Sequence, residues 1–205
     1  MSGVEVKIAE DGEILCKGNN VMLGYYKEPK LTSQVIDKEG WFHTGDIGIF
    51  EDNKYLKITD RKKEIFKLSS GKYIAPQVIE NKFKESVFIE QVMVFGENQK
   101  FTSAIILPEF LYLRNWCTIH GIKYSDNKEL IKDKKVINRI QQEVSELNNQ
   151  LGQAEQVKRF RLIFDEWSPL TGELSPTLKL KRKFLLEKYN DIFKEIFSVE
   201  NNKEY

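Results

Sequence analysis

The chain has 205 residues, with 32 Lys and Arg against 31 Asp and Glu and a formal net charge of +1. Hydrophobic residues at 40% and aromatics at 12% supply a core for one sizeable or two small domains, which excludes a disordered tail. The near-zero charge balance excludes a global basic field for collecting nucleic acid, although Lys179, Lys181, Arg182 and Lys183 make one stretch locally basic. No apolar run is long enough to span a membrane. Cys16 and Cys117 lie a hundred residues apart, too far for a metal-ligand spacing or a disulfide framework. With no signal segment visible at the start, a reducing cytoplasm is the default expectation.

Val4, Val6 and Ile8 alternate with charged residues, Asp11-Gly12 offers a tight turn, and Ile14 with Cys16 resumes the alternation, so residues 3–18 read as a β-hairpin. A helix is expected over 28–36, where Leu31, Val35 and Ile36 recur at helical spacing after Pro29. Beyond Trp41-Phe42, short strands are expected over 47–50 and 55–58. These first sixty residues are mostly sheet and too few to close a core alone. The charged cluster Asp60-Arg61-Lys62-Lys63-Glu64 and then Ser69-Ser70-Gly71 read as a solvated connection, so a domain boundary is placed at 60. After it come an expected helix over 77–85 and strands over 87–95 and 101–107. Phe110, Leu113, Trp116 and Cys117 line a helix, and Val136, Ile137, Ile140, Val144 and Leu147 stripe another over 134–149. Phe160, Leu162 and Phe164 alternate as a third strand, and Leu185, Tyr189, Ile192 and Ile196 stripe a terminal helix. The expected class is α+β, with a β-rich subdomain at 1–59 followed by an α+β domain at 60–205.

Three segments are richer in chemistry than folding requires. In Gly40-Trp41-Phe42-His43-Thr44-Gly45-Asp46, an Asp at a strand entrance can offer two carboxylate oxygens to a ribose diol, or simply cap a turn. Arg61, in Asp60-Arg61-Lys62-Lys63, can fork onto a nucleotide hydroxyl or serve as a surface ion-pair partner. Lys179, between Leu178 and Leu180 in the loop after Pro176, is expected in a partly apolar setting where charge-assisted contacts are strong, whereas Lys181 and Arg182 read as a solvated helix start. Ser69-Ser70-Gly71 lacks the Gly-x-x-x-x-Gly-Lys-Ser/Thr pattern of a nucleotide loop. His43 and His120 have no carboxylate or Cys partner at ligand spacing, so no metal site is expected from them.

Taken in order with their gaps, these segments resemble the end of the adenylate-forming acyl-CoA synthetase superfamily. The matching run begins at Gly12-Glu13-Ile14-Leu15-Cys16-Lys17-Gly18 and Gly24-Tyr25-Tyr26-Lys27 and ends at Ser175-Pro176-Thr177-Leu178-Lys179, covering nearly the whole chain. Asp60 to Glu64, Gly71 to Gln77 and Ser175 to Lys183 look most like the long-chain fatty acid–CoA ligase branch.

The resemblance implies that a fatty carboxylate is activated with MgATP to acyl-AMP and transferred to CoA, with ATP, Mg2+ and CoA bound by the whole enzyme. It implies that residues 1–59 end the large N-terminal domain and that 60–205 form a mobile lid hinged at 60–63. By motif, Lys63 matches the hinge residue, Asp46 and Arg61 the ribose ligands, Lys179 the adenylation lysine, and Ser70, Gly71 and Lys72 the CoA path. On this reading the phosphate loop, adenine pocket and acyl tunnel lie upstream, and the chain alone is catalytically silent. The partners implied are small molecules, with no nucleic acid and with room for peripheral membrane contact. Two rivals stay open: a ligase for an aryl or amino acid, and a stand-alone module binding nucleic acid or anionic lipid through Lys179 to Lys183.

Overall fold

A computed structural model of the chain describes residues 3–52 and 54–198. Two compact units divide between Ile65 and Phe66. The class is α+β, and no helix among the described residues is long and apolar enough to cross a membrane.

The first unit is an antiparallel meander, β1 (Val4–Ile8), β2 (Glu13–Gly18), β3 (Phe42–Glu51) and β4 (Tyr55–Arg61), with helix α1 (Pro29–Val35) in the β2–β3 connection. The hairpin and the helix fall where alternation and the proline place them. Strand β3 is a correction, because it begins at Phe42 rather than at residue 47 and so carries Asp46 inside the sheet, not at a strand entrance. Thr-Gly-Asp reads as a turn, but Gly45 adopts φ +73° within the strand, and register shifts opposite Glu13/Leu15 and at Ile47/Gly48 absorb the irregularity. Gly48 is required by close approach: a Cβ there would sit 2.6 Å from the Lys57 carbonyl oxygen and 2.7 Å from Ile14 Cδ1. Asp60 is also not part of a solvated connection, since it is fully buried near the end of β4. Only Ile14 and Leu15 are buried apolar side chains among the described residues of this unit, whereas Ile49, Tyr55, Leu56 and Ile58 are exposed.

The second unit opens with a hairpin that periodicity did not reveal, β5 (Phe66–Lys67) and β6 (Tyr73–Ile74), whose two-residue strands are too short to show alternation. Ser69 to Lys72 form its exposed tip, inside the unit and not in a linker. Next come α2 (Pro76–Phe83), β7 (Ile89–Phe95), β8 (Thr102–Pro108), α3 (Phe110–Ile119), the short α4 (Asn127–Leu130), α5 (Lys134–Asn148) and β9 (Val157–Leu162). The chain ends its described part in α6 (Arg182–Lys188) and α7 (Asn190–Ser198). The sheet order is β7-β8-β9, with β7 antiparallel and β9 parallel to the central strand.

Every residue of β8 is buried, so this sheet is covered on both faces. Val92, Val94, Ala104 and Ile106 pack with Ile79 and Phe83 of α2, Leu113 of α3 and Val136, Ile140 and Val144 of α5. Met93, Phe95, Ile105 and Leu107 pack on the other side with Trp167, Leu185, Tyr189, Phe193 and Ile196. Two details differ from the periodicity. β9 stops at Leu162, leaving Phe164 outside the strand, and the terminal stripe is broken at Tyr189, whose φ of −105° and ψ of 22° end α6. The break costs no apolar contact, because both short helices keep their stripe on the sheet.

Candidate functional site

Asp46 and Arg61 are a cross-strand pair of β3 and β4, and the register brings the Arg61 Nε to 2.8 Å from Asp46 Oδ1. Their side chains are 23% and 52% exposed, so the pair stands at the surface with a carboxylate oxygen and guanidinium donors available to a ligand. The ion-pair reading of Arg61 holds in this geometry, and the pairing through Nε leaves its other guanidinium donors open.

Behind the pair lies a hub that sequence reasoning missed. Glu13, nearly buried at the start of β2, accepts the Gly45 N–H at Oε1 (2.9 Å), while its Oε2 lies 2.9 Å from His43 Nδ1 and accepts from Lys62 Nζ at 2.8 Å. Lys62 Nζ also lies 2.6 Å from Asp11 Oδ2, and the Lys62 N–H donates to the Gly45 carbonyl at 2.8 Å. Burial works against charge on Glu13, yet the contacts from Lys62, His43 and Gly45 outweigh it and hold the carboxyl below its usual range. Hydrogen bonds to Asp11 and Glu13 raise the Lys62 ammonium in turn. His43 finds a carboxylate partner in Glu13, thirty residues away in sequence and brought adjacent through the β2–β3 pairing, with Asp37 Oδ2 farther off at 3.9 Å from its Nε2. Among the described residues no group of three or more His, Cys, Asp or Glu is arranged to hold a metal ion.

After β4 the Glu64 and Ile65 N–H groups return to the Arg61 carbonyl, so Lys63 sits exposed in a turn. Ser70, Gly71 and Lys72 form the tip of the β5–β6 hairpin. There the Leu68 N–H donates to the Lys72 carbonyl, the Gly71 N–H to Leu68, and the Ser69 N–H to Gln99 in the β7–β8 turn. Their backbone is fixed and their surfaces are open.

Lys179 lies on a small hairpin closed by a Leu174–Leu180 bridge. The Ser175 N–H donates to the Lys179 carbonyl (2.8 Å), and the Lys179 N–H to Ser175 Oγ (3.1 Å). Leu178 adopts φ 59°, a left-handed conformation that turns the chain just before the lysine. The expected apolar setting is not found. Lys179 is exposed and so is Leu178, because the hairpin buries its base at Glu173 and Leu174 and leaves its tip in solvent.

Both legs of this hairpin are pinned. Buried Glu173 accepts from Lys188 Nζ at 2.8 Å and from Thr171 Oγ1 and the Ser168 N–H. Burial opposes its charge, but these donors hold the carboxyl down at about 2. On the other leg Arg182 donates to Glu80 Oε2 (2.6 Å) and to the Val94 carbonyl (3.2 Å), and Glu80 Oε1 accepts the Val94 N–H (2.7 Å). Burial pushes the Glu80 carboxyl up to about 7, against the pull of Arg182. Arg182 is thus a largely buried strut and not a solvated helix start, since the end of the hairpin is where α6 meets α2 and β7.

Residues 63–201 match the family described as AMP-binding enzyme C-terminal domain. The chain is 41% identical over 192 residues to long-chain-fatty-acid–CoA ligase 1 of Homo sapiens, covering 92% of this chain and 27% of that enzyme. Among solved structures, the adenylation domain of a carboxylate reductase from Mycobacterium chelonae matches with a TM-score of 0.77 at 23% identity, over 96% of this chain and 31% of that one. The adenylation domain of a carboxylic acid reductase from Segniliparus rugosus, solved with AMP and a co-purified carboxylic acid, matches with a TM-score of 0.74 at 20% identity, over 96% and 31%. At these identities the structures speak for the fold alone. The chain spans between about a quarter and a third of the length of the curated relatives it matches.

Proposed function

We propose, from the premise that this chain belongs to the AMP-binding enzyme C-terminal domain family, that it supplies the C-terminal part of a long-chain fatty acid–CoA ligase. In the first half-reaction a fatty carboxylate oxygen attacks the α-phosphorus of ATP. A P–O bond forms, the bond to the β-phosphate breaks, and pyrophosphate leaves. In the second the CoA thiolate attacks the acyl carbon, the thioester forms and AMP departs. Mg2+ would accompany the ATP phosphates.

The observation that carries this reading is the Lys179 hairpin: an exposed ammonium on a rigid, doubly pinned support. Attack of a carboxylate on a phosphate brings two anions together, and a fixed cation beside both stabilises the transition state without an acid or base. Removing one such preorganised contact typically costs about 10²- to 10³-fold in rate, roughly 3–4 kcal/mol. Asp46 and Arg61 would hold the ribose, the carboxylate accepting from the diol while Arg61 fixes its orientation. The Ser70-Gly71-Lys72 tip would line the CoA path, where Gly71 leaves the backbone open to a narrow chain. Lys63 would be the pivot that lets 60–205 serve each half-reaction in turn, with 1–59 belonging to the large domain.

Pyrophosphate exchange by the intact ligase with a panel of carboxylic acids tests the reading. Exchange with long-chain fatty acids at least tenfold above aryl and amino acids is expected. A preference for an aryl or amino acid overturns the substrate class, and no exchange with any acid overturns adenylation itself.

A further inference from the structure

Glu13 reaches two separate stretches of chain with one carboxylate, residues 43–45 and Lys62. Oε1 takes the N–H of Gly45, the residue before Asp46, and Oε2 takes the ammonium of Lys62, the residue before Lys63. Gly45 is held from both sides, because its carbonyl accepts the Lys62 N–H at 2.8 Å. The left-handed φ of +73° at Gly45 is what aims its two peptide groups at these two partners. Asp11 completes the grip on Lys62 from the β1–β2 turn, with its Oδ2 at 2.6 Å from Nζ. A surface acid used only for solubility would be solvated, but Glu13 is 3% exposed and its charge is kept by these donors.

Two consequences follow from this wiring. Lys62 cannot swing freely, since its backbone is tied to Gly45 and its side chain to two carboxylates, so any pivot begins after it, at Lys63. Displacing Lys62 would also pull on Gly45, and therefore on the backbone that presents Asp46.

We infer that Glu13 is a positioning residue that couples the pivot to the nucleotide site: it clamps Lys62 as the fixed edge of the hinge and sets the Asp46 carboxylate through the Gly45 peptide. The inference rests on the ligase reading above, in which Asp46 holds the ribose and Lys63 turns. Of the two contacts, that to Gly45 governs nucleotide binding and that to Lys62 governs passage between the half-reactions.

The test is a double-mutant cycle on the intact ligase with Glu13→Gln and Lys62→Met, reading KM for ATP in pyrophosphate exchange and the separate rate of thioester formation from supplied acyl-AMP. Glu13→Gln keeps an acceptor for Gly45 and loses the charge facing Lys62, whereas Glu13→Ala loses both. KM for ATP is expected to rise about tenfold in Glu13→Ala and less than threefold in Glu13→Gln, a partial rescue that a general loss of packing would not give. Lys62→Met and Glu13→Gln are each expected to change the ratio of the two half-reaction rates about fivefold, with the double variant no worse than either single one. Lys62→Met removes a side chain that is 44% exposed and leaves the Gly45 and His43 contacts of Glu13 in place, so it keeps the test open where Glu13→Ala does not fold. Additive effects of the two substitutions, or an unchanged KM and rate ratio in an active enzyme, would overturn the inference. Failure of the wild-type enzyme to exchange pyrophosphate with any acid would instead overturn the ligase reading.

Discussion

Gly45 and Gly48 stand three residues apart in β3, yet a methyl group at each would cost stability for different reasons. At Gly45 nothing lies within 4 Å of a built Cβ, so only the left-handed φ of +73° resists alanine. At Gly48 the Cβ meets a backbone carbonyl at 2.6 Å, and no side-chain rotation relieves that. Gly45→Ala is therefore expected to cost about 1–2 kcal/mol, and Gly48→Ala clearly more, in urea unfolding of the chain. Equal costs would mean that β3 relaxes around Gly48 as readily as it tolerates strain at Gly45. Asp46, Arg61 and Lys179 are singled out because the motifs that carry them, taken in order, resemble those of the adenylate-forming superfamily, whereas that resemblance assigns Glu13 no role. In sequence it falls within the Gly12–Gly18 motif, and only the β2–β3 pairing turns it inward beneath Gly45.

The lysine hairpin depends on its two struts, and the Glu173 strut titrates. The carboxyl stands at about 2 in the folded chain against 4.5 for a free glutamate, so its contribution is fully present above pH 4.5 and is lost as pH falls towards 2. That difference corresponds to about 3 kcal/mol. Glu173→Gln is expected to lower unfolding free energy by about that amount at pH 6, and the gap to wild type should close by about pH 2. A gap of constant size across this range would show that the loss comes from packing and not from charge. Long periodic elements such as α5 were legible, because Val136, Ile140 and Val144 repeat at the helical period and Asp133 caps the start by accepting from the Lys135 and Val136 N–H groups. The β5–β6 hairpin and the break at Tyr189 were not legible. Two-residue strands carry no period, and a stripe of apolar residues looks the same whether one helix or two short ones present it.

Across the whole chain, apolar burial is unevenly shared. Among the described residues both hydrophobic clusters belong to the second unit, which covers its sheet on two faces, while the first unit buries few apolar side chains beyond Ile14 and Leu15. That contrast was readable in outline, since sixty residues of mostly strand cannot supply a core, but the buried Asp60 and the continuation of β4 through Arg61 were hidden by a run of charges that resembles a linker. Under the proposed function each unit would bring charge to the nucleotide: the Asp46–Arg61 pair from the first and the Lys179 ammonium from the second. The measurement that tests this most directly is the rate of each half-reaction in Lys179→Ala of the intact ligase. The account predicts that acyl-AMP formation falls by about 10²- to 10³-fold while transfer from supplied acyl-AMP to CoA stays within threefold of wild type. An equal fall in both rates, or an unchanged rate of acyl-AMP formation, would contradict it.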